Sequence, residues 1–437
     1  MEKPNIIMII SHDTGRYLNS YGKNIDTPSL NQLAKEGIQF NNYFCSQPQC
    51  SPSRCSILTG KYGHNHGMLG LAHLGHTMNK DVKTIPSEMK HAGYDTWLFG
   101  FHHESINGSS DPEKLGYNHI RKSINHTASK VTNSFIDFLT EQKANNNDMP
   151  FYASVGFEET HLPVDHFEPD PIDTVEVPPY LPNTHGVKHD IAHFHGSVKE
   201  LDLAVDRIMR ALKNTGFDEN TILIYTTDHG IPFPRAKGTL FDSGLETALI
   251  MRFPKNMYGK SIIKNQLLCN IDLMPTLLDL VGEDKPKDID GRSFLPVLEN
   301  DNQQIRDSFF CELTWHDKYH PMRGIRTNQY KYIRNFQDGP QVYLPLDIHQ
   351  SKAGHDVRAT YNKPNTEEEL YDLENDPLEQ KNLANDADFT YITLSLRQKV
   401  FKWMKETDDP LLFGPVPGAE AEGWKEEIAK GNVYISE

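Results

Sequence analysis

Four continuous apolar runs, each delivering acidic or imidazole side chains at its end, constrain this chain more than any other feature. Residues 5–10 lead into His12-Asp13, and residues 96–99 into Gly100-Phe101-His102-His103. Residues 151–157 lead to His161, and residues 221–227 to Asp228-His229-Gly230. Runs without polar alternation predict strands buried on both faces, as in a parallel sheet covered by helices. Helical patterns fall between them: Leu30, Leu33 and Ala34 after Thr27-Pro28, closed by Gly37; residues 134–141; and Leu201, Val205, Ile208 and Leu212 on one face. Further strands are expected over 38–44 and 247–253, and a helix over 272–281. The alternation predicts an α/β fold. In such sheets ligand sites form beyond the carboxyl ends of the strands, so Asp13, His103, His161 and Asp228 are expected to share one crevice.

The 437 residues suffice for one large and one small domain. A charged stretch at 300–306 divides them, into 1–303 and 304–437. The second part holds a strand-like run at 330–334, the turn-rich 369–377 and a helix near 393–405. Past Asp408 an acidic tail punctuated by Pro and Gly is expected to wrap the surface. No stretch approaches the roughly 18 apolar residues of a membrane span. The first strand begins at Asn5, which leaves no room for a leader and predicts a cytoplasmic protein. Five cysteines (Cys45, Cys50, Cys55, Cys269, Cys311) lack the spacing of a disulfide framework or zinc ribbon. A formal charge of −16 argues against nucleic-acid or anionic-membrane partners and for a small anionic ligand or a chain end captured locally.

Cys50-Ser-Pro-Ser-Arg54, continued by Cys55-Ser-Ile-Leu-Thr-Gly60, reads as a helix start. Ser51 or Cys50 can cap it, and Pro52 suits its first turn. A thiol at the positive end of a helix dipole, near a guanidinium, is poised for chemistry.

The string C-x-P-S-R followed by L-T-G resembles the activation motif of the type I sulfatases. Pro4-Asn5-Ile6 with Asp13, Asp228-His229-Gly230, and Glu369-Leu-Tyr-Asp372 with Asp376-Pro377 and Asn382-Leu383 resemble other segments of that family, in its order. Residues 228–234, His320-Pro-Met-Arg323 and 403–410 are similar to its heparan N-sulfatase branch, the N-sulfoglucosamine sulfohydrolases. The resemblance implies an alkaline-phosphatase-like large sheet sandwiched by helices, then a smaller C-terminal α+β domain with a short antiparallel sheet. It implies that a formylglycine-generating or anaerobic sulfatase-maturating enzyme oxidises Cys50 to Cα-formylglycine.

A sulfate ester or sulfamate is an anion, and its hydrolysis develops more charge on the leaving atom, so the site needs a divalent cation and basic side chains. The resemblance places Asp13, Asp228, His229, His12 and the modified Cys50 around calcium, with manganese, magnesium or zinc as alternatives. It gives Arg54 the orienting of the modified residue, Lys237 a sulfate oxygen, His161 the general acid and His103 the base. His102, His64, His66, His73, His316 and Arg323 fall in segments resembling pocket-lining loops. Two positions depart from the family: His12 stands where Asp is usual, and Phe101 where Lys is expected. The favoured substrate is a small sulfated sugar such as N-sulfoglucosamine or a heparan-derived chain end. An O-sulfatase of another sugar, a phosphonate or phosphodiester hydrolase, and a sugar-binding relic are the alternatives.

Overall fold

The computed structural model describes residues 3–105, 115–121 and 126–419, and most of the expected acidic tail lies outside them. Eight strands make one sheet: β1 (Asn5–Ser11), β2 (Ile38–Phe40), β3 (Asp95–Gly100), β4 (His119–Arg121), β5 (Phe151–Gly156), β6 (Thr221–Thr227), β7 (Leu249–Arg252) and β8 (Ile262–Lys264). Their spatial order is β4-β3-β5-β1-β6-β7-β2-β8, and only β7 runs against its neighbours. β1 is buried along its whole length because both faces are covered. Ile7 and Ile9 pack with the helices Ala128–Ala144 and His185–Thr215, while Ile6, Met8 and Ile10 pack with Cys50–Thr59 and Leu273–Val281. The layered architecture is the alkaline-phosphatase-like one. Among the described residues no helix is long and apolar enough to cross a membrane.

The strand expected over 38–44 is two strands in different sheets: β2, and Tyr43–Phe44 paired with Leu268–Cys269. Asn41 and Asn42 turn the chain between them, each bonded to the 264–265 backbone. The helix expected over 134–141 runs from Ala128 to Ala144, since Glu159 accepts a bond from its first amide at 2.7 Å.

A second, antiparallel sheet lies after the first in the chain: β9 (Ser308–Trp315), β10 (Tyr319–Thr327), β11 (Tyr330–Asn335) and β12 (Glu368–Asp372), in that order, with the helix Thr390–Glu406 against it. Its apolar face shares one core with Phe44, Tyr62, Leu240 and Phe241 of the first part. A buried ionic network also ties the two parts: Asp242 meets Arg326 at 3.0 Å and Lys331 at 2.5 Å, and Lys331 meets Glu379 at 2.7 Å. Asn382 accepts the Leu370 amide. The 369–383 motif is therefore a fastening of the second sheet, not a part of the crevice.

Four neighbouring parallel strands end level, with Gly100, Gly156, Ile10 and Thr226 in one row. The loops leaving these strands therefore emerge at the same height. Gly156 allows the Phe101 backbone to cross beside it; a Cβ there would lie 1.9 Å from the Phe101 carbonyl oxygen. Gly156→Ala is expected to destabilise the protein by about 1–3 kcal/mol and to depress turnover by displacing the segment that carries His103. Thermal denaturation and steady-state kinetics would check this.

Candidate active site

Helix Cys50–Thr59 is buried on every side. Gln49 is its cap residue, and neither Ser51 nor Cys50 fills that role as the sequence suggested; Cys50 is the first helical residue. Gly60 ends the helix at φ +64°, a left-handed conformation that glycine adopts without strain. Ser53 donates to the Asp228 carbonyl, and Arg54 Nε donates to Asp228 Oδ2 at 3.0 Å while its guanidinium stacks over Phe101 at 4.9 Å. The helix is thus locked to the β6 terminus, which fixes the height of Cys50.

Beside Cys50, one ligand atom from each of His12, Asp13, Cys50 and His229 lies within 4.8 Å of the others. Asp13 sits at φ +58° and has no exposed surface. Its Oδ1 is 2.5 Å from His12 Nδ1 and 2.9 Å from His229 Nε2, and its Oδ2 accepts from Lys237 at 2.7 Å. Asp228 stands alongside: its Oδ1 accepts the Asp13 and His229 amides, both at 2.9 Å, and Oδ2 takes Arg54. Burial pulls the His12 imidazole down, but Asp13, Cys50 and Asp228 push it up to about 9. His229 is likewise raised by Asp228 and Asp13 against its burial. Two buried carboxylates, Asp13 and Asp228, and two buried imidazoles, His12 and His229, thus meet at one place. Nitrogen and carboxylate donors around that place fit a divalent metal ion. Burial alone would raise the Cys50 thiol, yet Lys237 and His12 hold it well below the thiol range.

Lys237 is buried among three groups: Asp13, Asp347 Oδ2 at 2.6 Å and His161 Nε2 at 3.2 Å. Having only protons to give, its ammonium meets a lone pair on His161 Nε2, and His161 Nδ1 faces the Leu162 carbonyl. Burial, then Lys237, depresses the His161 pKa. His103 Nε2 lies 3.1 Å from His73 Nδ1, and the two rings are near-parallel with centroids 5.2 Å apart. Burial and then His103 lower His73 to about 4. His316, held through Nδ1 by Asp317 at 2.7 Å, contributes to the potential at Asp347 and His73, and its buried Nε2 has no partner. Burial lowers the His102 pKa against the pull of Glu104, and its buried Nδ1 has no partner. Phe101 packs its ring against His12 and Arg54 instead of offering a cation.

Three expected pocket residues lie elsewhere, because each is consumed by internal partners. His64 uses Nδ1 on Glu312 at 3.0 Å and Nε2 on Thr407 at 2.8 Å. His66, with no exposed surface, braces the Cys50 helix through Ser56 at 3.1 Å. Arg323 forms a buried fork to Asp409, at 2.5 and 3.0 Å. Conversely, Asp347, on the short helix Leu346–Gln350, reaches the site although no sequence signal points to it. It comes 110 residues after Lys237 with no motif around it, so nothing in the sequence could have found it.

With this geometry in place, comparison with known proteins defines the class. The sulfatase family model matches residues 4–283, and the model for the C-terminal part of N-sulphoglucosamine sulphohydrolase matches residues 235–368. The chain belongs to the sulfatase family, hydrolases of sulfuric esters. It is 32% identical over 424 residues to an ulvan-active sulfatase of Formosa agariphila, covering 94% of this chain and 82% of that one. It is 27% identical over 469 residues to human N-sulphoglucosamine sulphohydrolase, covering 94% and 92%. Its fold matches a structure solved with its substrate D-glucosamine-2-N,6-O-disulfate (TM-score 0.72, 20% identity, 94% and 99% covered). It also matches the phosphonate monoester hydrolase of Agrobacterium radiobacter (TM-score 0.71, 20% identity, 93% and 96% covered).

Arg323→Met leaves Asp409 and Glu312 buried without their cation, and is expected to cost about 3–5 kcal/mol of stability. The Michaelis constant of the folded enzyme should not change. Chemical denaturation alongside kinetics would separate this from a substrate contact, which would raise the Michaelis constant instead.

Proposed function

We propose that the protein is a formylglycine-dependent, metal-dependent sulfatase of a small sulfated sugar, with N-sulfoglucosamine or a heparan-derived chain end as its substrate. The observation that carries this reading is the position of Cys50: first in a wholly buried helix, beside the His12–Asp13–His229 cluster and within the field of Lys237. Similarity to N-sulphoglucosamine sulphohydrolase along nearly the whole chain supports the choice of sugar.

Asp13, His12 and His229, with Asp228 beside them, would hold a divalent cation, which would supply positive charge opposite the sulfate oxygens, and Cys50, once oxidised to the hydrated aldehyde, would supply the nucleophilic hydroxyl. Two imidazole nitrogens make manganese or zinc better suited to this donor set than calcium. Arg54 fixes Asp228 and the helix, so that the nucleophile and the cation share one frame. Lys237 binds a sulfate oxygen, and Asp347 holds its ammonium in place. His161, with Nε2 3.2 Å from Lys237 Nζ, is the acid: the bound sulfate anion, which gains charge as its bond to the leaving atom breaks, favours the protonated imidazole that gives that atom its proton. His103, with Nε2 3.1 Å from His73 Nδ1, would be the base that takes the proton of the remaining hydroxyl on the modified Cys50, as the C–O bond to sulfate breaks and sulfate leaves with its electron pair.

Cys50→Ala is expected to abolish turnover with the fold intact. The matured enzyme should weigh about 18 Da less than the unmodified sequence, on conversion of CH2SH to an aldehyde. Retained activity in the variant would overturn the nucleophile. A sugar nitrogen leaves poorly unless protonated, whereas an aryl oxide leaves unaided. His161→Ala should therefore lose about 100-fold or more on a sulfamate and far less on an aryl sulfate. Equal losses would remove His161 as the acid. Faster hydrolysis of an aryl phosphonate than of an aryl sulfate would move the assignment to the phosphonate hydrolases.

A further inference from the structure

We propose that Asp165, His189 and His193 form a second divalent metal site, selective for zinc-like ions, that fastens the loop carrying His161 to the long helix. Such a site is independent of the sulfatase chemistry.

His189 and His193 are four residues apart on the helix His185–Thr215, and their ring centroids lie 4.5 Å apart. Asp165 comes from the loop that leaves His161. One ligand atom from each of the three lies within 4.8 Å of the other two. A tetrahedral zinc site with bond lengths near 2.0–2.1 Å needs its ligand atoms about 3.4 Å apart. The gap is closed by side-chain rotation alone, since the Asp165 side chain is 64% exposed and both histidines are only partly buried.

Two further observations show rings prepared for a cation. His193 Nδ1 lies 3.0 Å from the Phe167 carbonyl oxygen, which can only accept, so the proton is on Nδ1 and Nε2 carries a free lone pair. A backbone carbonyl on the outer nitrogen is the arrangement that orients metal-binding histidines. At His189 the cation position is already taken: Lys352 Nζ sits 2.6 Å from Nε2 and 3.1 Å from Nδ1. An ammonium has no lone pair to share, so the ring presents one to it. Lys352 is exposed and long, so it can swing into solvent at little cost when a divalent ion replaces it. Two imidazoles and one carboxylate, with water completing the shell, favour Zn2+, Co2+ or Ni2+ over Ca2+ or Mg2+.

Asp165 comes four residues after His161, and Lys352 opens the helix Lys352–Tyr361 just after the Asp347 helix. An ion here therefore joins the His161 loop to the long helix and releases Lys352 from it.

The test is Co2+ and Zn2+ titration of the full-length enzyme with its first cation bound, monitored by calorimetry and by cobalt absorption. The expected result is one equivalent beyond the first cation, absent in His193→Ala. Asp165→Asn should weaken that equivalent by about tenfold or more, and Lys352→Met should tighten it. Because Asp165 and Lys352 are exposed, those two variants fold even where a histidine variant does not. Turnover without added zinc should stay at the wild-type level in both. The proposal is overturned if no extra equivalent binds, if Asp165→Asn binds it unchanged, or if Lys352→Met binds it more weakly.

Discussion

A buried carboxylate must be paired, and Asp13 is the one on which this structure turns. It accepts from Lys237 and lies against His12 and His229, with no surface exposed to water. Its partners come from three segments, so satisfying this one charge draws the β1 and β6 termini and the loop of Lys237 to one point. Asp228 repeats the logic a few ångströms away, taking two backbone amides and Arg54. Removing any member leaves an uncompensated charge in a buried setting, which is costly.

The sheet makes such convergence geometrically cheap. Parallel strands in register end at one height, and the helix of Cys50 is bolted to the same row through Ser53 and Arg54. Chemistry brought to that row needs no further alignment. The second sheet then closes the other side. Its core takes in Phe44, Tyr62, Leu240 and Phe241 of the first part, and the segment after β11 brings Asp347 to Lys237, while His316 comes directly after β9.

Much of this was legible in the chain. The apolar runs of β1, β3, β5 and β6 determined a parallel sheet with a crevice at its carboxyl edge, because strands buried on both faces cannot alternate. The residues Cys50–Arg54 determined a helix start with a thiol at it; that Gly60 ends this helix in a left-handed conformation came from the structure. The similarity to sulfatases was carried by those same residues.

What only the tertiary structure decided is which polar side chains face the crevice and which are spent elsewhere. His64, His66 and Arg323 look like ligand residues in sequence, but Glu312, Ser56 and Asp409 already consume them. Asp347 looks like any loop aspartate, yet it completes the pairing of Lys237. The reason is physical: hydrophobic periodicity is a local property written along each strand or helix. The pairing of a buried charge depends on a partner that can come from anywhere in the chain, and only packing brings the two together.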